Sequence, residues 1–265
     1  MIIRLNEGAA LDDLKEKELS VLEDILKLDS ENLILMASRP GMGKTSLALH
    51  TALEYVKKSN KTVYIFSHEM LAEHVYQRLI RTVAEVDYQA MQNGTLSEEQ
   101  KESVLRASEY LKTLNIVVDD DNKDVTPLKI KEKLEKEQNV GFVIVDYIEL
   151  VKPESGEQIS DVLKELKLLA ENKNIPIAVT AQLSRKLEKR KDKRPRLEDC
   201  EKMAEYSDTV IFVYRDAYYA MRFENPENRS ENAEIIVAKN KYGATKTLNL
   251  EWRGEFCKFY ETARK

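Results

Sequence analysis

The spacing of apolar and polar residues changes several times along this chain. Over residues 10–29, Leu11, Leu14, Val21, Leu22, Ile25 and Leu26 share one broad face, with Asp12, Lys15, Glu16 and Glu23 among them; this predicts an amphipathic helix. Short apolar runs then alternate with helical stretches. Leu33-Ile34-Leu35-Met36 and Thr62-Val63-Tyr64-Ile65-Phe66 predict strands. Leu71 to about Val86 predicts a helix. Ser97-Glu98-Glu99-Gln100 is a capping box that opens a helix reaching about Thr113. Ile116-Val117-Val118 predicts a strand that ends in Asp119-Asp120-Asp121, and Thr126-Pro127 predicts an N-cap followed by the first helical residue. Gly141-Phe142-Val143-Ile144-Val145-Asp146 is an apolar run closed by a carboxylate, as in a strand buried on both faces. A helix over 158–172 and strands over Ile175–Thr180 and Thr209–Tyr214 follow. The last third reads as strands at Ala233–Ala238, Thr245–Leu250 and Cys257–Tyr260, separated by Tyr242-Gly243 and Arg253-Gly254 turns. The predicted fold is α/β: a mostly parallel sheet flanked by helices, with an antiparallel C-terminal edge.

Composition narrows the function classes. The chain has 265 residues, 42% of them hydrophobic, enough for one large domain with a real core. The expected division is an N-terminal helix or linker over 1–30 and one domain over 31–265. No apolar run approaches the roughly 20 residues of a membrane span, and the N-terminus lacks the layout of a signal peptide. Cys200 and Cys257 are far apart and fit a reducing cytosol, which predicts a cytoplasmic protein outside the membrane. His50, His68 and His74 do not form a metal set. The net charge of −5 gives no global attraction to nucleic acid, so any such role must rest on local basic surface.

Between the first apolar strand and the helix at Ser46 lies Ser38-Arg39-Pro40-Gly41-Met42-Gly43-Lys44-Thr45. Strand, glycine-rich turn and helix in that order make a phosphate loop. Gly41 and Gly43 let successive N–H groups point inward, and the helix start adds partial positive charge. Lys44 is placed to reach the β/γ-phosphates, Thr45 to hold Mg²⁺, and Ser46 to join the cradle. Ser38 stands where the strict motif has its first glycine. ATP with Mg²⁺ is the expected ligand.

Other residues admit two readings each. Asp146, at the end of the apolar strand, either serves Mg²⁺ or caps a turn. Glu69, just past strand 62–66, is either a general base for the attacking water or a helix-start acid favoured by the dipole. Arg78 either contacts nucleotide or is a solvated helix residue. Gln182, after strand 175–180, either reads the γ-phosphate or opens a polar loop. Arg185 to Arg196 holds eight basic residues against two acidic ones and either tracks phosphates or is a mobile, solvated loop. Lys239 and Lys241 either reach a neighbouring subunit's nucleotide or are solvated turn lysines.

Together these blocks resemble the motor domain of the DnaB-type replicative helicases, within the RecA-like P-loop ATPases. The resemblance runs from about Glu31 to the C-terminus and rests on ASRPGMGKTSLAL, FSHEM, FVIVDYIELV, AQLSRKLEKRKDKRPRLED, SDTVIFVYRD and AEIIVAKNKYGAT. It implies a homo-oligomer, a hexameric ring that hydrolyses ATP between subunits while translocating on single-stranded DNA, with primase or a helicase loader as further partners. It assigns Lys44 and Thr45 to phosphate and Mg²⁺, Glu69 to catalysis, Asp146 to the metal, Gln182 to γ-phosphate sensing and Arg78 to nucleotide contact. Lys239 and Lys241 fall where the family places a lysine and an arginine finger acting in trans. The chain departs from the pattern in four places. Lys241 replaces the arginine. The segments Lys152–Gln158 and Cys200–Tyr206, pore loops in the family, are shorter. The "TGF…DLD" lead-in is not recognisable, and the helical domain that partners primase is absent from this sequence. A slowly hydrolysing regulatory module is the alternative that the shortened loops and Lys241 favour. A small-molecule kinase would need an acceptor lid where Ala233–Tyr260 reads as sheet.

Overall fold

The structure, a computed structural model, describes residues 2–5, 22, 25–121, 123–156, 158–220 and 232–262. In chain order the strands are β1 (Ile2–Leu5), β2 (Leu33–Ser38), β3 (Thr62–Ser67), β4 (Ile116–Asp119), β5 (Val140–Asp146), β6 (Ile177–Gln182), β7 (Thr209–Tyr214), β8 (Asn232–Asn240), β9 (Lys246–Arg253) and β10 (Lys258–Glu261). The helices are α1 (Lys44–Lys58), α2 (Ala72–Ala84), α3 (Tyr88–Asn93), α4 (Glu98–Thr113), α5 (Pro127–Glu135), α6 (Ile159–Lys173), α7 (Glu201–Tyr206) and α8 (Asp216–Ala220), with short 3-10 turns at Ile148–Leu150, Arg185–Lys189 and Leu197–Cys200.

All ten strands form one sheet in the order β1-β4-β3-β5-β6-β2-β7-β8-β9-β10. β4, β3, β5, β6, β2 and β7 run parallel, and β1, β8, β9 and β10 are antiparallel. Every residue of β2 and β7 is buried, as a parallel sheet covered on both faces requires. One face packs on α1, α2 and α4 through Leu47, Leu53, Val75, Leu79 and Leu111. The other packs on α5, α6 and α7 through Ile130, Leu134, Leu163, Leu166 and Ala204.

Local signals act where expected. Ser97 accepts the Gln100 N–H at 3.2 Å while the Gln100 side chain accepts the Ser97 N–H at 2.9 Å. Thr126 caps α5, with Pro127 at its first position. The predicted helix over 10–29 falls mostly outside the described residues; of it, Leu22, Ile25 and Leu26 are helical and buried in the core. β1 pairs antiparallel with β4, Ile2 opposite Asp119, so this N-terminal strand shares the sheet of the rest of the chain. The division at residue 30 stands as a proposal. β6 begins two residues later than the apolar pattern predicted, because the ring of Pro176 removes a ladder donor at the strand's start.

Candidate active site

The carboxyl ends of the parallel strands lie along one edge of the sheet, where ligands bind in open α/β folds. There β2 delivers Ser38, β3 delivers Ser67, β5 delivers Asp146 and β6 delivers Gln182, with Ser38 in register with Gln182 and Ser67 in register with Asp146.

The turn after β2 needs its glycines. Gly41 has φ 79° and Gly43 φ 103°, both in the left-handed region. A Cβ on Gly43 would approach Phe259 Cζ to 2.9 Å, and one on Gly41 would approach Tyr218 Cε2 to 2.8 Å. β10 and α8 therefore close against the turn from beneath. Arg215 donates to the Gly41 carbonyl at 3.0 Å and lies 4.9 Å from the Trp252 ring centroid. Burial pushes its guanidinium down to about 10. α1 starts at Lys44 with neither a side-chain cap nor an acid in its first turn. Its first N–H groups are thus left for an anion. Pro40 and Gly41 are exposed, Gly43 and Lys44 half-buried, and Met42 is buried in the core. Ser46 is buried at the first helical turn.

Arg39 is 5% exposed, and its guanidinium is engaged within the protein: Nε pairs with Glu188 at 2.8 Å and Nη1 donates to the Leu183 carbonyl at 2.6 Å.

Thr45 and Asp146 meet across the edge, the hydroxyl donating to the carboxylate at 3.0 and 3.2 Å. The Thr180 hydroxyl also donates to Asp146. Lys44 Nζ lies 5.5 Å from the Tyr147 ring centroid. The Tyr147 phenol is pushed up by burial and by the charges of Glu69, Glu149 and Asp146, which places Glu69 in the same electrostatic neighbourhood. Glu69 is exposed, open to the cleft. Gln182 has an exposed side chain, and its N–H donates to Glu149 Oε1 at 2.6 Å. The Glu149 residue is largely open, yet its carboxyl is raised by desolvation, with Asp146 adding to the rise and the Gln182 N–H and Lys44 opposing it. Arg78 is half-buried on α2.

Lys239 and Lys241 lie elsewhere. Asn240 is in register with Thr209, so both lysines flank the amino ends of the parallel strands. Lys239 Nζ donates to the Ala204 carbonyl at 2.7 Å, at the end of α7. Lys241 Nζ pairs with Asp208 Oδ1 at 3.2 Å, which holds its ammonium above the usual range. β2 has six residues, and at about 3.3 Å per residue the lysines stand roughly 20 Å from the phosphate loop of their own chain.

The basic run over 185–196 opens with the 3-10 turn Arg185–Lys189, and two of its arginines are paired. Arg190 forms a bidentate pair with Asp199 at 2.8 and 3.1 Å, and Arg194 forms one with Glu234 at 2.5 and 2.8 Å. Those acids lie beyond the run itself, so its composition gave no sign of them. Sequence reading also missed Glu149, Arg215, Tyr218, Trp252 and Phe259. Only Glu149 had a signal, three residues past Asp146 in the same strand-end block.

Among the described residues no helix is long and apolar enough to cross a membrane. Fold and site together define a P-loop domain of the RecA-like class. The family described as "DnaB-like helicase C terminal domain" matches residues 17–261. The chain belongs to that family. It is 32% identical over 245 residues to the replicative DNA helicase DnaC of Bacillus subtilis (strain 168), covering 88% of this chain and 53% of that protein. It is 32% identical over 246 residues to the replicative DNA helicase DnaB of Geobacillus stearothermophilus, with the same shares. The chain thus spans about half the length of the curated relatives it matches. Among solved structures, the ATPase domain of G40P superposes with a TM-score of 0.81 at 26% identity, covering 94% of each chain. A DnaB-like replicative helicase described with its interactions with primase superposes at 0.84 and 26% identity, covering 94% of this chain and 62% of that one. The RadB recombinase, 16% identical with a TM-score of 0.54, shares the fold.

Proposed function

We propose that this chain is the ATP-hydrolysing motor of a DnaB-type helicase, translocating on single-stranded DNA as a homo-oligomer, a hexameric ring. The observation that carries the proposal is the meeting of Thr45 and Asp146 at an uncapped helix start, with Gln182 at a neighbouring strand end and Glu69 two residues past another. Membership of the DnaB-like family supports the same reading.

The residues suit ATP and Mg²⁺. A hydroxyl and a carboxylate are hard oxygen donors of the kind Mg²⁺ takes, and their closeness at the phosphate loop would let both serve one ion. Thr45 and Asp146 would hold the ion, with Thr180 fixing the carboxylate. The chemistry that bound Mg²⁺ supplies there is neutralisation of charge on the β- and γ-phosphate oxygens. The N–H groups of residues 41–46 and Lys44 bind and orient the phosphates. Glu69 takes the proton of the attacking water on a carboxylate oxygen. Gln182 donates its amide N–H to the γ-phosphate, and Arg78 contacts the nucleotide. Lys239 and Lys241, on the far edge, complete the site of a neighbouring copy. A primase or helicase loader and a cytoplasmic setting belong to the same reading.

A slowly hydrolysing regulatory module is favoured by one observation, the pairing of Lys241 with Asp208. Steady-state ATPase with and without single-stranded DNA, alongside mass by light scattering, separates the two. DNA-stimulated turnover by an oligomer supports the motor. An oligomer whose turnover ignores DNA supports the module, and absence of turnover sinks the motor reading.

A further inference from the structure

The segments matching the family's pore loops are poor in free cations. Residues 152–158 hold one lysine against Glu154 and Glu157, and residues 200–206 hold one against Glu201 and Glu205. Lys152 pairs with Asp124 at 2.5 Å, and Lys202 donates to Gln158 at 3.0 Å. Neither segment offers a single-stranded backbone a row of unengaged positive charge.

The segment from Arg185 to Lys191, after β6, does. Arg185, Lys186, Lys189 and Lys191 are exposed and make no ion pair among the described residues. The acids nearest in sequence are engaged elsewhere: Glu188 with Arg39 at 2.8 Å, and Asp192 with Arg194 and Arg196 at 3.6 Å each. The turn is also held in place. Leu187 is 2% exposed, Arg39 grips residues 183 and 188, the Leu183 N–H donates to the Ser38 carbonyl at 2.9 Å, and Arg190 is fixed to Asp199. Three cations on this turn, and Lys191 two residues past it, lie at the strand edge that carries the phosphate loop. Holding the backbone of this segment beforehand lowers the entropy lost when a phosphate backbone binds.

We propose that Arg185, Lys186, Lys189 and Lys191 form the single-stranded DNA backbone track of this protein, in place of the two shortened loops. The proposal rests on the DNA-translocase reading above. The track contains no aromatic side chain, so it reads phosphates rather than stacked bases. Because Arg39 joins the turn to the phosphate loop, a strand on the track lies one ion pair away from the nucleotide-binding backbone.

The test is anisotropy of a labelled oligothymidylate on the ATP-analogue-loaded oligomer across a salt series. Each single-strand phosphate contact contributes about −0.7 to the slope of log affinity against log salt. Arg185→Ser, Lys186→Ser, Lys189→Ser and Lys191→Ser combined should flatten the slope by about 3 and weaken binding at low salt. Lys152→Ser with Lys202→Ser should leave both near the parent. A combined variant that keeps the parent's affinity and slope overturns the track, as does a loss confined to the Lys152, Lys202 pair. A combined variant whose mass falls to that of a single chain would make the row a contact between copies, which also overturns it. If the parent itself shows no binding, the DNA reading fails, and that result is distinct from parental binding without the track.

Discussion

Thr45 and Asp146, 101 residues apart in the chain, are hydrogen-bonded at 3.0 and 3.2 Å. One opens α1 and the other closes β5, so their meeting measures how closely the two elements are set. Asp146→Asn keeps the size of the side chain and removes its charge. It should raise the Mg²⁺ concentration needed for turnover while leaving the fold intact. Glu69→Gln should retain ATP binding and lose about 10²–10⁴ in turnover, the span of general-base catalysis. Lys44→Ala should weaken nucleotide binding itself. Titration with a fluorescent nucleotide, paired with phosphate release, checks all three. A Glu69→Gln protein as fast as the parent removes Glu69 from the chemistry.

Lys241 lies at the edge of the sheet opposite the phosphate loop, so its effect should depend on assembly. Specific ATPase activity should rise with protein concentration through the assembly midpoint. An arginine finger is worth about 10³–10⁵ in rate, and lysine lacks the planar fork behind part of that factor. Lys241→Arg should raise the maximal rate without tightening ATP binding by the isolated chain. Activity per chain that is flat across a dilution series would eliminate the shared site. A Lys241→Ala protein as active as the parent would reduce the residue to the surface partner of Asp208.

Acid should loosen the fold through α1. His50 is 2% exposed, contacts Glu54, which Lys57 pairs with, and is held at about 3 against an ordinary 6.5, first by burial and then by the Lys258 charge. The 3.7 Å contact with Glu54 is therefore made by a neutral imidazole near neutral pH. Its folded value lies below its unfolded one, so the unfolded chain takes up the proton first. Stability is full above about 6.5 and declines as pH falls toward 3. The slope from one such group reaches about 1.4 kcal/mol per pH unit. His68, lowered to about 4 by burial, adds to the same trend. His50→Leu should make melting temperature less steep in pH between those limits. An unchanged slope would show that His50 is not the source.

Much of this protein was legible where a signal is local. The glycine-rich turn, the capping box at Ser97 and the carboxylate closing β5 each depend on a few adjacent residues, and each lies where the pattern placed it. Contacts set by the fold were not legible. Nothing near Arg39 announces Glu188, and the basic run shows neither Asp199 nor Glu234, the acids that fix its arginines. Helices α3, α7 and α8 are too short to show a period, having six, six and five residues. The aromatic rings of Trp252 and Phe259 read as ordinary strand residues until the last two strands are folded beneath the phosphate turn.

The sheet gives each chain two unlike ends, a phosphate loop at one and a lysine pair at the other. Copies that share sites through those ends can join head to tail, each loop meeting the lysine of the next copy. Damage is then inherited sideways: a chain broken at Lys241 silences the next copy and keeps its own loop serviceable. Two inactive proteins, one altered at Glu69 and the other at Lys241, can therefore complement each other in a mixed assembly, wherever a sound loop is followed by a sound lysine.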